Sequence, residues 1–242
     1  MKLKYILEIL TRVLCPPVNR FYYQRMSLKK KRYLLKIDKT SETNFDLIYE
    51  NNFWTSKESG SGLGSVEETT QKIREALPVL FKKYNIKSVL DAPCGDYNWM
   101  KLVDKQGIDY IGCDIVKSVI EANSSKYSDQ NVKFLNLNLT KDDLPCVDLI
   151  LCRDCFQHIV YDDILKIINN FKRSKSKYLL TTSYPLTYKN WDIKINGDYR
   201  PLNISKSPIN LKNHIEKIKE NGGVGGAVDR ILYLFDIAKL EI

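Results

Sequence analysis

Two aspartates frame a tight turn near the end of the first third of the chain. In Ser88-Val89-Leu90-Asp91-Ala92-Pro93-Cys94-Gly95-Asp96, Asp91 and Asp96 stand on either side of Pro93 and Gly95. A third carboxylate, Asp114, comes 23 residues after Asp91. One glycine between two carboxylates is a poor cradle for a pyrophosphate, which calls for G-x-G-x-x-G and bare N–H groups. It suits a ligand with a cationic end, and Gly95 lets backbone come close to that ligand. Asp114 is spaced to accept hydrogen bonds from both hydroxyls of a ribose. Further on, Asp154 and His158, one of only two histidines, supply two candidate bases four residues apart.

The elements that must position these groups follow from pattern. Ile86 to Leu90 reads as a buried parallel strand that Pro93 and Gly95 stop, with a helical pattern from Tyr97 to Val103. Ligands of open α/β sheets bind at such turns, beyond the carboxyl ends of the strands. Ile108–Ile115, Val132–Leu137, Cys146–Cys152 and Tyr178–Ser183 are further strands, and Val116–Tyr127 and Asp162–Phe171 are helices. A helix over Val66–Tyr84 begins with an apparent capping box, Ser65-x-x-Glu68, and contains Pro78, which is expected to bend it. Ile215–Ile218 and Ile231–Ile237 read as a closing antiparallel hairpin around Gly222-Gly223-Val224-Gly225-Gly226.

The run V-L-D-A-P-C-G-D resembles the first motif of class I S-adenosylmethionine (SAM)-dependent methyltransferases. The resemblance covers the chain from about Ser65 to its end. It implies a Rossmann-like α/β fold: a mostly parallel seven-stranded sheet with a C-terminal antiparallel hairpin, flanked by helices. It implies SAM as cofactor and S-adenosylhomocysteine (SAH) as product. On it the expected cofactor contacts are Asp91, Ala92, Pro93, Cys94, Gly95, Asp96, Trp99, Asp114, Ile115, Asn138, Leu139 and Arg153. Asn138 stands where the family often has an Asp for the adenine amine; its side-chain oxygen can still accept from that amine. The (D/N)-P-P-(Y/F) of base methyltransferases is replaced here by Cys152-Arg153-Asp154-Cys155. That favours an oxygen acceptor, with His158 or Asp154 taking its proton. Trp54, Ser59-Gly60-Ser61-Gly62 and Tyr199-Arg200-Pro201-Leu202-Asn203 further resemble a bacterial subfamily, some of whose members modify surface polysaccharides, including capsule, by O-methylating sugars or a phosphoramidate.

The flanking segments are read as accessories. Residues 1–52 form a basic N-terminal extension and residues 53–242 the methyltransferase domain. Within the latter, 53–65 is a Gly/Ser lid and 184–208 an acceptor loop, with Trp54, Ser59, Ser61, Tyr184, Trp191, Asp198, Tyr199 and Arg200 as substrate contacts. Residues 1–36 hold ten Lys/Arg against Glu8, while the other 206 residues carry 28 basic and 28 acidic groups. The neutral body speaks against nucleic acid as a partner. An amphipathic helix over Ile6–Leu14, stopped by Cys15-Pro16-Pro17, packs on the domain or a second subunit, or meets an anionic membrane with Lys29–Arg32. Six cysteines without regular spacing and no apolar run of about 20 residues predict a cytoplasmic protein, at most peripheral at the inner face of the membrane. Cys152 and Cys155 have no second pair for zinc, and no metal is expected. The oligomeric state is not specified.

Three rival readings differ in class. A nicotinamide oxidoreductase lacks its glycines, and an RNA methyltransferase lacks its basic face and motif. A SAM-binding scaffold without catalysis has only Asn138 and the basic N-terminus behind it.

Overall fold

The computed structural model describes residues 10–15, 17–18, 20–22, 41–54, 56–220 and 229–241. Helix α1 (Ser41–Glu50) leads through a Gly/Ser loop and a 3-10 turn (Leu63–Ser65) into α2 (Glu67–Lys83). Strands β1 (Ser88–Asp91), β2 (Asp109–Asp114) and β3 (Val132–Asn136) follow, with α3 (Lys117–Tyr127) between the last two. Then come β4 (Leu149–Cys152), α4 (Tyr161–Arg173), β5 (Tyr178–Ser183), β6 (Glu216–Lys219) and β7 (Ile231–Asp236). The sheet order is β3-β2-β1-β4-β5-β7-β6. β3, β2, β1, β4 and β5 are parallel, and β7 runs antiparallel to both β5 and β6. This is the expected Rossmann-like sheet with its antiparallel C-terminal strands.

The period of two along each strand divides the core into two layers. Val89, Leu149, Leu151 and Leu180 face α2, whose Ile73, Leu77, Leu80 and Phe81 form its apolar stripe. Leu90, Ile150, Cys152 and Leu179 face α4 through Ile164, Ile167, Ile168 and Phe171. The i, i+3, i+4, i+7 spacing on α4 puts these four side chains on one face, each worth about 1.5–3 kcal/mol when buried. Asp162 and Asp163 in its first turn and Lys172 and Arg173 in its last complement the helix dipole.

Three expectations need correction. The helix after the first turn is absent: Tyr97 takes a positive φ of 58°, and only a 3-10 turn, Met100–Leu102, remains. The capping box is not made, because α2 starts at Glu67 and its Val66 N-cap has no side-chain acceptor. Glu58 Oε1 accepts the Glu67 N–H at 2.8 Å instead, so the cap comes from the preceding loop. The N-terminal helix turns its faces the other way. Residues 10–14 are helical, yet Arg12 is 1% exposed, paired with Asp229 at 2.7 Å and lying over the Tyr184 ring. Leu10, Val13, Leu14, Val18, Phe21 and Tyr22 are exposed, Leu14 by 74%. The earlier part of that helix and Lys29–Arg32 lie outside the described residues, as does the Gly222–Gly226 turn.

The expected boundary at residue 52 falls between α1 and the Gly/Ser loop. Both elements face one cavity at the carboxyl ends of the parallel strands. No helix of the described residues is long and apolar enough to cross a membrane.

Candidate active site

Two buried carboxylates define one half of the cavity. β1 ends in Asp91, 2% exposed, whose Oδ2 accepts the Tyr110 hydroxyl at 2.7 Å. Burial pushes its carboxyl up to about 7, against the opposing pull of that hydroxyl and of Arg153. β2 ends in Asp114, which accepts the Gly95 N–H on Oδ2 and the Val116 N–H on Oδ1, each at 3.0 Å. Burial lifts it to about 6, and these backbone donors moderate the rise. Each carboxylate oxygen keeps lone-pair capacity beyond these bonds. Pro93, Cys94, Gly95, Trp99, Ile115, Leu137 and Leu139 complete this half.

The Gly/Ser loop is tied down over the first turn. Asp96 accepts the Ser59 hydroxyl, the Gly60 N–H and the Ser61 hydroxyl at 2.8–3.1 Å, and returns its own N–H to Ser61 Oγ. Tyr49 on α1 reaches the same Ser61 Oγ at 2.7 Å, and Asn98 bridges Glu58 and the Ser65 carbonyl. Gly95 sits beneath this clamp at φ +56°, where an added Cβ would stand 2.2 Å from Ser61 Oγ. The space that Gly95 leaves is therefore filled by Ser61. Asp96 spends its carboxylate on the loop and does not line the cavity.

The other half is aromatic and cationic. Trp54 and Tyr199 flank His158, with ring centroids 5.6 and 5.5 Å away, and Tyr184 lies nearby on the wall. His158 Nδ1 donates to the Asp198 carbonyl at 2.7 Å, since a carbonyl can only accept. In the neutral ring the other nitrogen, Nε2, then carries the lone pair. Asp154, at φ +51°, is held differently. Burial raises its carboxyl, but Arg230, Arg153 and the Gln157 amide outweigh that and hold it below the ordinary value. Arg153 and Arg230 are themselves joined through Glu220, so Arg153–Glu220–Arg230–Asp154 form a closed buried ring with contacts of 2.7–3.4 Å. Arg153 also donates to the Gly64 carbonyl and lies over the Trp99 ring.

Of the residues singled out from sequence, Asp91, Pro93, Cys94, Gly95, Trp99, Asp114, Ile115, Asn138, Leu139 and Arg153 line the cavity. So do Asp154, His158, Trp54, Ser61, Tyr184 and Tyr199. Six do not. Ala92 is core, Ser59 and Asp96 belong to the clamp, and Trp191 is packed away from the cavity. Asp198 meets His158 through its backbone carbonyl, while the buried Arg200 donates to the Gln157 and Ile159 carbonyls. Asn138 faces the cavity, but its Oδ1 already accepts twice from Thr140 and its Nδ2 donates to Glu42. Both lone pairs of that oxygen are in use, which leaves nothing for an adenine amine.

Sequence reasoning missed Phe45 and Tyr49 on α1, Gly64, Gln157, Asn196, Glu220 and Arg230. The α1 stretch has weak periodicity and no motif. Glu220 and Arg230 could have been found from topology alone. A hairpin antiparallel to β5 must turn at the edge where the parallel strands end, and these two residues flank that turn.

Residues 89–176 match a family model described as a methyltransferase domain. That stretch of the chain is similar to methyltransferase domains. The match runs from β1 to the end of the β4–α4 unit. Solved structures with the same fold include a SAM-dependent methyltransferase of Leishmania major, with a TM-score of 0.60 at 12% identity over 85% of this chain and 89% of that one. The N-methyltransferase NodS from Bradyrhizobium japonicum with bound SAH has a TM-score of 0.58 at 12% identity, over 78% and 97%. Magnesium protoporphyrin IX methyltransferase from Synechocystis PCC 6803 with bound SAH has 0.55 at 12%, over 81% and 99%. No protein of curated function matches the sequence.

The clamp yields a stability prediction. Gly95→Ala is expected to displace Ser61 and cost about 2–4 kcal/mol, from strain at positive φ and overpacking together. Thermal unfolding and limited proteolysis read this as a lower midpoint and faster cutting within residues 57–64. An unchanged midpoint and cleavage pattern would mean that the loop does not depend on its seat at Gly95.

Proposed function

We propose that this methyltransferase domain acts on an oxygen of a small-molecule or glycan-precursor acceptor, such as a sugar hydroxyl or a phosphoramidate oxygen of a surface polysaccharide. The observation that carries the reading is the His158 hydrogen bond. With Nδ1 committed to the Asp198 carbonyl, Nε2 is the basic atom of an aromatic-walled half-cavity, and a neutral hydroxyl needs such a base. The aromatic faces of Trp54, Tyr184 and Tyr199 suit a sugar ring. The polysaccharide context comes from the sequence resemblance alone.

The donor half fits SAM. Asp91 is a buried carboxylate beside the turn, matched to the amino group, and Asp114 is matched to the ribose hydroxyls. Ile115 and Leu139 offer apolar surface to the adenine ring. When bound, SAM supplies a methyl group on a sulfonium centre, open to in-line displacement by a nucleophile. His158 takes the acceptor proton at Nε2, and the Asp198 carbonyl steadies the imidazolium that forms. Trp54 and the Ser61–Ser65 stretch exclude water and fix the approach. Asp154 is a positioning residue in this scheme. Its carboxylate is neutralised by Arg153 and Arg230 and is a weak base.

Peripheral contact with an anionic membrane at the inner face of the cell membrane is the second part of the proposal. It is supported by the exposed apolar side chains of residues 10–22 and by the ten basic residues among the first 36. Arg12 links that segment to Tyr184 on the cavity wall, which puts the apolar surface near the acceptor half.

Three outcomes are expected. His158→Ala lowers kcat by about 10²–10⁴ while SAM affinity stays within twofold, measured by turnover on an identified acceptor and by calorimetry. An equal loss in SAM binding would remove His158 from the base role. SAH affinity rises about tenfold per unit as pH increases toward about 7 and levels off above it, because the cationic amine prefers ionised Asp91. A flat profile in wild type, or one kept by Asp91→Asn, would place the amine elsewhere. Reversing Lys29–Arg32 to Glu should abolish sedimentation with vesicles containing anionic phosphatidylglycerol, and unchanged sedimentation would exclude electrostatic membrane contact.

A further inference from the structure

In the buried ring at the acceptor end, one nitrogen of Arg230 has neither a hydrogen bond nor an ion-pair contact. Arg230 is 3% exposed and lines the cavity. Its Nη1 donates to Asp154 Oδ2 at 2.7 Å, and its Nε lies 3.0 Å from Glu220 Oε2. Its Nη2 finds no hydrogen-bond partner. A buried guanidinium nitrogen without an acceptor costs free energy. Arg153 presents the contrast: its Nε and Nη2 both reach Glu220 Oε1, and its Nη2 also reaches the Gly64 carbonyl.

The position of Arg230 explains what the spare donor is for. The residue immediately precedes β7, whose Ile231 pairs with Ser183 at the end of β5, so it stands at the edge where the acceptor half is built. Asp154 links it to His158, since the charge of each acts on that carboxylate. Tyr184 and Tyr199, the aromatic walls, both bear electrostatically on Arg230. The four-membered ring carries two cations and two anions and is neutral as a whole. Asp154 and Glu220 thus hold the guanidinium charged and oriented, and Nη2 is left buried without an acceptor. A charge-assisted donor of fixed direction is best matched by an oxyanion, at about twice the strength of a neutral pair.

The geometry points to Arg230 as an acceptor-anchoring residue whose Nη2 receives a carboxylate or phosphoryl oxygen of the methyl acceptor. This deepens the acceptor reading given above and rests on it. An acidic sugar and a phosphorylated or phosphoramidate-bearing precursor both carry the required group. A plain neutral sugar does not. The anchored oxyanion would also face the imidazolium formed when His158 takes its proton, so substrate binding and base strength act together.

The test uses the full chain saturated with SAH, titrated with formate, acetate or inorganic phosphate against chloride at equal ionic strength. Thermal midpoint and tryptophan fluorescence, to which Trp54 in the cavity contributes, report binding. The expected result is a saturable response to acetate or phosphate beyond that of chloride. It should weaken at least tenfold in Arg230→Lys, which keeps a cation beside Asp154 but removes the fork. A second variant, Arg230→Met with Glu220→Gln, removes one charge of each sign, keeps the ring neutral and should lose the response as well. SAH binding within twofold of wild type certifies both variants as folded. No response beyond chloride in wild type, or an equal response in a folded variant, overturns the anchor. Failure of wild type to bind SAH would instead strike the cofactor assignment beneath it.

Discussion

Charge is buried at the carboxyl edge of this sheet, and the rest of the structure is arranged to tolerate it. Five parallel strands end together with both faces covered, so whatever follows them leaves water. On the β1–β2 side two carboxylates, Asp91 and Asp114, enter that edge with a hydroxyl and backbone N–H groups as their hydrogen-bond donors. On the β4–β5–β7 side two arginines and two carboxylates enter together and neutralise one another. The cavity lies between a half that is short of a cation and a half that is already balanced. In the proposed scheme a sulfonium donor lies against the first, and the proton chemistry of the acceptor against the second.

The loops that close the cavity also complete the helices beneath it. Neither Val66 nor Val160, the N-caps of α2 and α4, has a side chain that can accept a hydrogen bond. Glu58 supplies the acceptor for α2, while Asn196 Oδ1 and Asp192 Oδ1 take the Val160 and Tyr161 N–H groups of α4. A displaced loop would leave helix donors unpaired. The segments read from sequence as a lid and an acceptor loop are therefore hydrogen-bonded into the domain, seated by Asp96 and Gly95 on one side and by Arg200 on the other.

This coupling explains what was legible in the sequence. The strands, α2 and α4 were readable because their periodicity serves one local purpose, burial against a layer. The placement of Asp91 and Asp114 at the cavity was readable because each ends a strand, one of them at a Pro/Gly turn. Asp96 was assigned to the ligand, whereas its partners are Ser59, Gly60 and Ser61, about 35 residues upstream. Arg12 reads as the polar face of an amphipathic helix, and its pairing with the distant Asp229 accompanies its burial. Trp191, Asp198 and Arg200 resemble a sugar site in composition, but packing and backbone acceptors take them up first. In each case the missing information was a contact between segments far apart in the chain, which spacing cannot encode.

The two halves should respond to acid in opposite senses, which is a consequence of how each is desolvated. The Asp91 and Asp114 carboxyls sit well above their unfolded values, so the folded chain binds more protons than the unfolded one between about pH 4 and pH 7. The stability they contribute is fully present below about pH 4 and is lost as pH rises through about 6 and 7. Asp154 is held below its unfolded value, so its contribution is present above about pH 4 and is lost on acidification. At neutral pH the domain therefore carries an unfavourable pair of ionised carboxylates beside a favourable compensated ring. A cation bound at the first pair removes that cost. The same desolvation that raises these two carboxyls would, in the proposed scheme, favour a positively charged ligand there.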